Sequence, residues 1–303
     1  MADGSRVARE GERAIGTDRL GAPVSPAEFA QAWSADMPPP FGPNLVGLPT
    51  ASIASADYAI APCDLRIAGV REMNAPLFAM LGRAADIAQA SEALAKYMMA
   101  MFALEAAQLR DEPRKNGLSF RHSFVRLLLG WEHDSSSREA AVLKGWVESR
   151  FGLRPAHHHE KIADFSDPAW RAYVKDDMDS GYHANSIHAQ LDLLYEYVQW
   201  ALRTLVCPGQ THLRLYRGVD RSRERIVRRE ATGQPVLRLN SLSSFTTDRA
   251  VADCFGSIVV SVQAPLTKIL FANTLLTFFP FRAEREVILI GGDYPATIEP
   301  PAP

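Results

Sequence analysis

Ala283-Glu284-Arg285-Glu286-Val287-Ile288-Leu289-Ile290-Gly291-Gly292 decides what kind of structure this chain builds at its C-terminal end. Val287 to Ile290 is an apolar run of strand character closed by two glycines. Glu284 and Glu286 stand two residues apart at its mouth, a spacing that on a strand turns both carboxylates to one face. Two acids so placed suit chemistry at a sugar, where one meets the positive charge developing at the sugar carbon and the other handles the nucleophile. Alone, a Glu-x-Glu at a strand edge describes a solvated face, so its weight depends on the rest of the chain.

Moving outward, short strand-like runs separated by turn residues fill the chain after Pro208-Gly209. They are His212 to Tyr216, Pro235 to Leu239, Ser257 to Val262, Lys268 to Phe271 and Glu286 to Ile290. Before them the pattern is helical. Leu77, Met80, Leu81, Ala84 and Ala88 follow helical spacing, as do Leu94, Met98, Met101 and Phe102. Two further helices are expected from His122 to Trp131 and from Ala140 to Phe151. A last one runs from Ile187 to Leu205, with Leu191, Leu194, Tyr195, Val198 and Leu202 on one face. Helices followed by strands predict an α+β fold rather than alternating βαβ units. The division expected is a tail over 1–43, a mainly helical region over 44–205 and a strand-rich region over 206–303. The tail ends in Pro38-Pro39-Pro40-Phe41-Gly42-Pro43, which cannot continue a helix.

Composition narrows the function classes. The 303 residues carry a formal net charge of −2, which gives no electrostatic case for nucleic acid or an anionic membrane. No N-terminal signal and no apolar run of bilayer length are visible, so a cytoplasmic protein without an integral membrane segment is expected. Cys63, Cys207 and Cys254 form neither a metal-site spacing nor a disulfide framework and read as buried thiols. No Gly-x-Gly-x-x-Gly follows a strand, so a nicotinamide nucleotide would not sit on a Rossmann domain.

Two segments support the acid pair. In Leu213-Arg214-Leu215-Tyr216-Arg217-Gly218 the alternation sets Leu213 and Leu215 against Arg214 and Tyr216. The strand then ends at an arginine suited to a phosphate or ribose oxygen, with Gly218 allowing close backbone approach. In Asn240-Ser241-Leu242-Ser243-Ser244-Phe245-Thr246-Thr247-Asp248 a hydroxyl-rich strand leads to a short helix capped by Thr247 or Asp248, followed by Phe255-Gly256. Those hydroxyls suit a ribose or a catalytic carboxylate; strand-edge and cap roles would also explain them.

Tyr-Arg-Gly at 216–218, Ser-Ser-Phe-Thr-Thr at 243–247 with Phe255-Gly256 beyond, and Glu-x-Glu at 284–286 occur in that order. Over roughly 211–292 the chain thus resembles the Arg–Ser–Glu mono-ADP-ribosyltransferases, which include cholera-type and clostridial toxins and vertebrate ecto-enzymes. Asn44-Leu45-Val46-Gly47-Leu48-Pro49-Thr50, the long helical region and Arg-His-Ser-Phe at 121–124 extend the resemblance to one branch. That branch is the NAD–dinitrogen-reductase ADP-ribosyltransferases of nitrogen-fixing bacteria. The resemblance implies a strand-rich NAD-binding core of two antiparallel sheets and NAD as co-substrate. It implies an arginine of nitrogenase reductase (the iron protein) as acceptor and a PII-type signalling protein as regulator.

By the same resemblance Glu286 is the catalytic acid at the ribose 2′-hydroxyl, and Glu284 orients and helps deprotonate the incoming guanidinium. Arg217 holds the NAD phosphate or nicotinamide ribose, and Ser244 binds ribose or positions Glu286. Gly218, Ser243, Thr246, Phe255 and Phe271 complete the expected NAD site; Phe271, Phe278 and Phe279 are candidates to stack on nicotinamide, although most of that group reads as core. The family's Ser-x-Ser is Ser243-Ser244-Phe245-Thr246-Thr247 here, so Ser244 is favoured as the motif hydroxyl and Ser243 and Thr246 follow. Arg282 and Arg285 read equally as flanking the acceptor and as a solvated rim. An NAD glycohydrolase and a non-catalytic binding module of the same fold are the alternatives.

Other features are read as structural. His157-His158-His159-Glu160 is expected to be a polar loop, and no metal is expected. Asp176-Asp177-Met178-Asp179 lacks the spacing of a calcium loop and reads as a helix end. Met98, Met99 and Met101 read as core.

Overall fold

The computed structural model describes residues 42–110, 112, 123–179, 182, 185–219, 226–229, 235–280 and 283–299. The expected tail (except residues 42 and 43), Arg121, His122 and Arg282 lie outside them. Short polar side chains start the helices by accepting from otherwise unpaired backbone N–H groups. Ser123 opens Phe124–His133, Ser137 opens Arg138–Phe151, and Asp248 opens the short Arg249–Asp253 helix. Asp86 caps a fresh helix at Ile87–Phe102, so the helical spacing expected through Ala88 divides into Ala75–Leu81 and this second helix, with Ala84 in the link. The expected last helix is Asn185–Ala201 followed by a π-helical turn, Leu202–Val206. No helix among the described residues is long and apolar enough to cross a membrane.

Among the described residues six strands make one antiparallel sheet. They are β3 His212–Val219, β4 Ile226–Arg229, β5 Pro235–Thr246, β6 Ile258–Pro265, β7 Ile269–Ala272 and β8 Glu286–Ile298. Strand β3 pairs with β6, β6 with the end of β8, β8 with β5, and β5 meets β3 again at Tyr216–Thr246. Among the described residues the sheet therefore closes into a barrel-like ring, with β4 and β7 attached at its margins. Strand β5 runs through Thr246, past the expected end at Leu239, because a bulge between Leu239 and Leu242 lets pairing with β8 continue. At the bulge Asn240 O lies where a Cβ on Gly291 would be.

Most buried apolar residues of the helices and strands form one core, and Ala141, Ile162, Ala169 and Tyr173 form a smaller, separate cluster. Helix Asn185–Ala201 packs on β7 and carries polar groups into that core. The Tyr195 hydroxyl donates to Thr267 O at 2.8 Å and Tyr197 to Leu275 O at 2.8 Å. Gln199 Nε2 donates to Leu266 O and Ile269 O at 3.0 and 2.9 Å. Of the methionine cluster only Met98 is core; Met101 is exposed. Cys207 is buried, but Cys63 and Cys254 are exposed and depart from the expectation of buried thiols, since Cys63 lies in the irregular link after Ala56–Ile60 and Cys254 in the turn that ends Arg249–Asp253.

The histidine run is not a loop. His157–His158 (β1) and Glu160–Lys161 (β2) form a two-residue ribbon turning at His159, whose φ is 56°. Asn240 fastens it to β5, accepting from Ala156 N at 2.8 Å and donating to His157 O at 3.0 Å. Beneath it the buried Lys144 donates to His157 O at 3.0 Å, and its Nζ is 3.2 Å from His158 Nδ1. Burial pushes that lysine down to about 7. With the unfolded value near 10.4, the unfolded chain binds a proton that the folded chain does not between about pH 7 and pH 10. Stability should therefore rise with pH across that window, and Lys144→Met should flatten the rise in urea titrations. An unchanged slope would mean that Lys144 keeps its charge on folding.

Gly218 on β3 and Gly256 after the Arg249–Asp253 helix are two sides of one backbone contact. A Cβ on Gly218 would lie 2.2 Å from Ala252 O, and one on Gly256 2.3 Å from Val219 N. Gly218→Ala should destabilise the protein by about 1–3 kcal/mol through forced separation of these backbones. A denaturation midpoint equal to wild type would show that they part freely.

Candidate active site

A cleft of about 960 Å³ opens where β3, β5 and the start of β8 meet the end of helix Phe124–His133 and the histidine ribbon. Strand register builds its floor. Thr246 pairs with Glu286 and Ser244 with Ile288. Directly paired residues share a face, and so do residues two apart along one strand, so Ser244, Thr246 and Glu286 lie on the same side. Arg217 reaches this floor from the end of β3, where its Nη1 donates to Ser244 O at 2.8 Å. Every expected site residue lines the cleft except Phe271. Phe271 is fully buried and packs edge-on against Phe279, 5.1 Å between centroids, which places both rings in the core. Phe278 packs against Phe124, also away from the cleft. Phe255 is the aromatic at its rim, 61% exposed.

The acid pair is not carried on one strand face. Strand β8 begins at Glu286, and Glu284 sits in the preceding turn, where Arg285 adopts a left-handed φ of 48°. The turn separates the environments of the two acids. Glu284 is exposed, whereas Glu286 is 7% exposed. Thr246 holds the turn by donating to Glu284 O at 2.7 Å and accepting from Asp248 N at 3.0 Å. Its hydroxyl is therefore committed to the backbone. The Ser244 hydroxyl faces the Glu286 carboxyl and accepts from Trp131 Nε1 at 2.8 Å.

Glu286 is raised above the ordinary carboxyl range, first by burial, while its hydrogen bonds with Ser244, Glu132 and Trp131 act the other way. Its Oε2 is buried and accepts from no N–H or O–H donor of the described protein. Glu132 is pushed up to about 8 by its own burial and then by the adjacent charge of Glu286, with Glu284 adding to the effect. Two coupled carboxyls of this kind titrate as a pair.

Trp131 and Glu132 are absent from the sequence-derived site. Their signal was an indole and an acid directly after the apolar Phe124–Leu129 run, which reads as the end of an ordinary core helix. At the opposite end the cleft is bounded by the ribbon and by Arg238, which makes a bidentate pair with Asp293 at 2.7 and 2.8 Å. His158, His159 and Asp176 bring three ligand atoms within 4.8 Å of one another. If His158 Nδ1 accepts from Lys144, its Nε2 carries the proton and donates to Asp176 Oδ2 at 3.1 Å, leaving that ring no lone pair for an ion. The Asp176–Asp179 stretch closes helix Pro168–Asp179, the helix end expected.

The cleft combines a buried acid, a second acid on a turn, an arginine at a strand end and hydroxyls. These suit a polar, partly anionic ligand with a reacting sugar. A family model described as dinitrogenase reductase ADP-ribosyltransferase matches residues 43–298. The NAD(+)–dinitrogen-reductase ADP-D-ribosyltransferase of Rhodospirillum rubrum is 50% identical over 254 residues, covering 83% of this chain and 92% of that protein. No solved structure gives a significant match. On the family match and the identity together, the chain belongs to the dinitrogenase reductase ADP-ribosyltransferases.

Proposed function

We propose that this protein is an arginine-specific mono-ADP-ribosyltransferase that moves ADP-ribose from NAD to an arginine of nitrogenase reductase and so switches nitrogen fixation off. The observation that carries the reading is the contrast between two acids in one cleft, Glu286 buried on its floor and Glu284 exposed on its rim. The bond between nicotinamide and ribose C1′ breaks through an oxocarbenium-like state, and a buried carboxylate beside that carbon stabilises the charge in a medium of low dielectric. Glu286 takes that place and binds the ribose 2′-hydroxyl. A guanidinium nitrogen of the acceptor then forms the new bond to C1′. Arginine, with a pKa above about 12, needs help to give up its proton. Glu284 stands where a docking protein would present that group.

Arg217 meets the NAD phosphate or nicotinamide ribose, and Ser244, held by Trp131, keeps Glu286 in place. Ser243, Gly218 and Phe255 border the same ligand, and Thr246 fixes the turn that carries Glu284. The cytoplasm as the site of action and a PII-type protein as regulator complete the proposal.

Incubating the protein with labelled NAD and iron protein should place label on an arginine of the latter. Release of nicotinamide without protein labelling would point to a glycohydrolase, and a folded sample that leaves NAD intact would point to a binding module. Glu286→Gln should lower transfer by roughly 10²-fold or more through loss of the charge opposite C1′, without unfolding the protein. Glu284→Gln should separate the two half-reactions, with NAD hydrolysis retained and arginine labelling lost. Equal loss of both would remove the acceptor-side role from Glu284.

A further inference from the structure

Helix Phe124–His133 brings a third acid to the reacting end of the cleft. Glu132 lines it together with Glu284 and Glu286, and its carboxyl hydrogen-bonds that of Glu286. Two carboxylates do not form a hydrogen bond unless one of them carries a proton. Independently, Glu286 Oε2 is buried without a donor, and buried polar atoms are almost always paired. A proton held between the two acids resolves both observations.

We propose that Glu132 is a positioning residue for the reaction at Glu286: it carries the proton of a shared carboxyl pair and donates it as a hydrogen bond that orients the Glu286 carboxylate toward the ribose. The inference rests on the transferase reading of the cleft and adds a residue outside the Arg, Ser and Glu segments. The larger effects on Glu132 fit the assignment. Beyond burial, from the β8 side come Glu286 and Glu284, whose charges disfavour ionisation of Glu132. Asn273, fully buried on the turn after β7, hydrogen-bonds Glu132 and acts the other way, as the smallest of these effects. From β5 the Ser244 hydroxyl holds the Trp131 indole and so the end of the helix. Arg217 directs its Nη1 to the Ser244 carbonyl. With Glu132 protonated, the floor carries one negative charge, held in one orientation. With Glu132 ionised, two charges compete for the same space and the orienting hydrogen bond is lost.

The test compares Glu132→Gln with Glu132→Ala. Glutamine keeps an N–H donor at every pH and cannot ionise; alanine removes the donor. Wild-type kcat should fall on the alkaline side as Glu132 loses its proton, and the Gln variant should stay close to wild type at neutral pH without that fall. The Ala variant should lose roughly 10- to 100-fold in kcat with a smaller change in KM for NAD, as expected for a misplaced catalytic group. An Ala variant with wild-type kcat, or a Gln variant with an unchanged alkaline fall, would overturn the assignment.

Infrared spectra of the unliganded protein give a readout independent of turnover. The C=O stretch of a protonated carboxyl should be present at pH 7 in wild type and absent in Glu132→Gln. Its absence from wild type would also overturn the shared proton. If the band is present and wild type leaves NAD intact, the transferase reading fails and the shared proton stands.

Discussion

The structure depends on a helix that enters an apolar core carrying polar side chains and satisfies them on strand-connecting backbone. Along Asn185–Ala201, Tyr195, Tyr197 and Gln199 donate to carbonyls at Thr267, Leu275 and Leu266, on the turns flanking β7, and at Ile269, its first residue. Leu266 O also accepts from Ile269 N–H, and a buried carbonyl left without a donor would cost about 1–3 kcal/mol. Glu196, also buried, accepts from Ile67 N at 2.9 Å and pairs with Arg71, tying the N-terminal helices to the same seam. A purely apolar helix could slide over β7; one with fixed donors cannot. The seam therefore sets helices and sheet in one register and allows a side chain on one to meet a side chain on the other at hydrogen-bonding distance.

The cleft uses that registration. Trp131 spans from the helical part to β5, where its indole nitrogen holds the Ser244 hydroxyl. The same helix end delivers Glu132 against Glu286. Low polarizability around these groups has two consequences. It makes the charge of Glu286 expensive to hold, which raises its affinity for a proton, and it strengthens any interaction with a cationic ribose at that spot. The exposed Glu284 has neither property. A left-handed Arg285 and a Thr246 hydroxyl bonded to the Glu284 carbonyl keep it on the rim.

Much of this was legible in the chain. The helices expected from His122 and from Ala140, observed at Phe124–His133 and Arg138–Phe151, and the strands beginning at His212 and Glu286 follow from local patterns. So does the clustering of Arg217, Ser243, Ser244 and Glu286, since strand-borne motifs are placed together once their strands pair. What local pattern does not carry is geometry set by distant partners. Phe271 was a stacking candidate by type, but β7 is covered on both faces and its ring is core. The same-face reading of Glu284 and Glu286 assumed a strand through 284, and a left-handed residue at 285 ended it. The ribbon at 157–161 could not be read because its pairing spans only two residues and is secured by Asn240 and Lys144.

Gly218 shows how the close approach read from a motif residue can be taken up by backbone at the same place where it borders the cleft. A glycine after an arginine at a strand end suggests room for a ligand. Here the atom pressing on its missing Cβ is Ala252 O, with Gly256 N next. Gly256 in turn abuts Val219 N and Gly218, so each glycine makes room for the backbone beside the other. The contact draws the Arg249–Asp253 segment against β3 and brings Val251, Ala252 and Phe255 to the cleft beside Arg217. The glycines of Arg-Gly and Phe-Gly, nearly forty residues apart, thus form one structural device. Their effect on ligand binding is indirect, through the wall they hold in place, so an alanine at either site acts on the wall before it acts on the ligand.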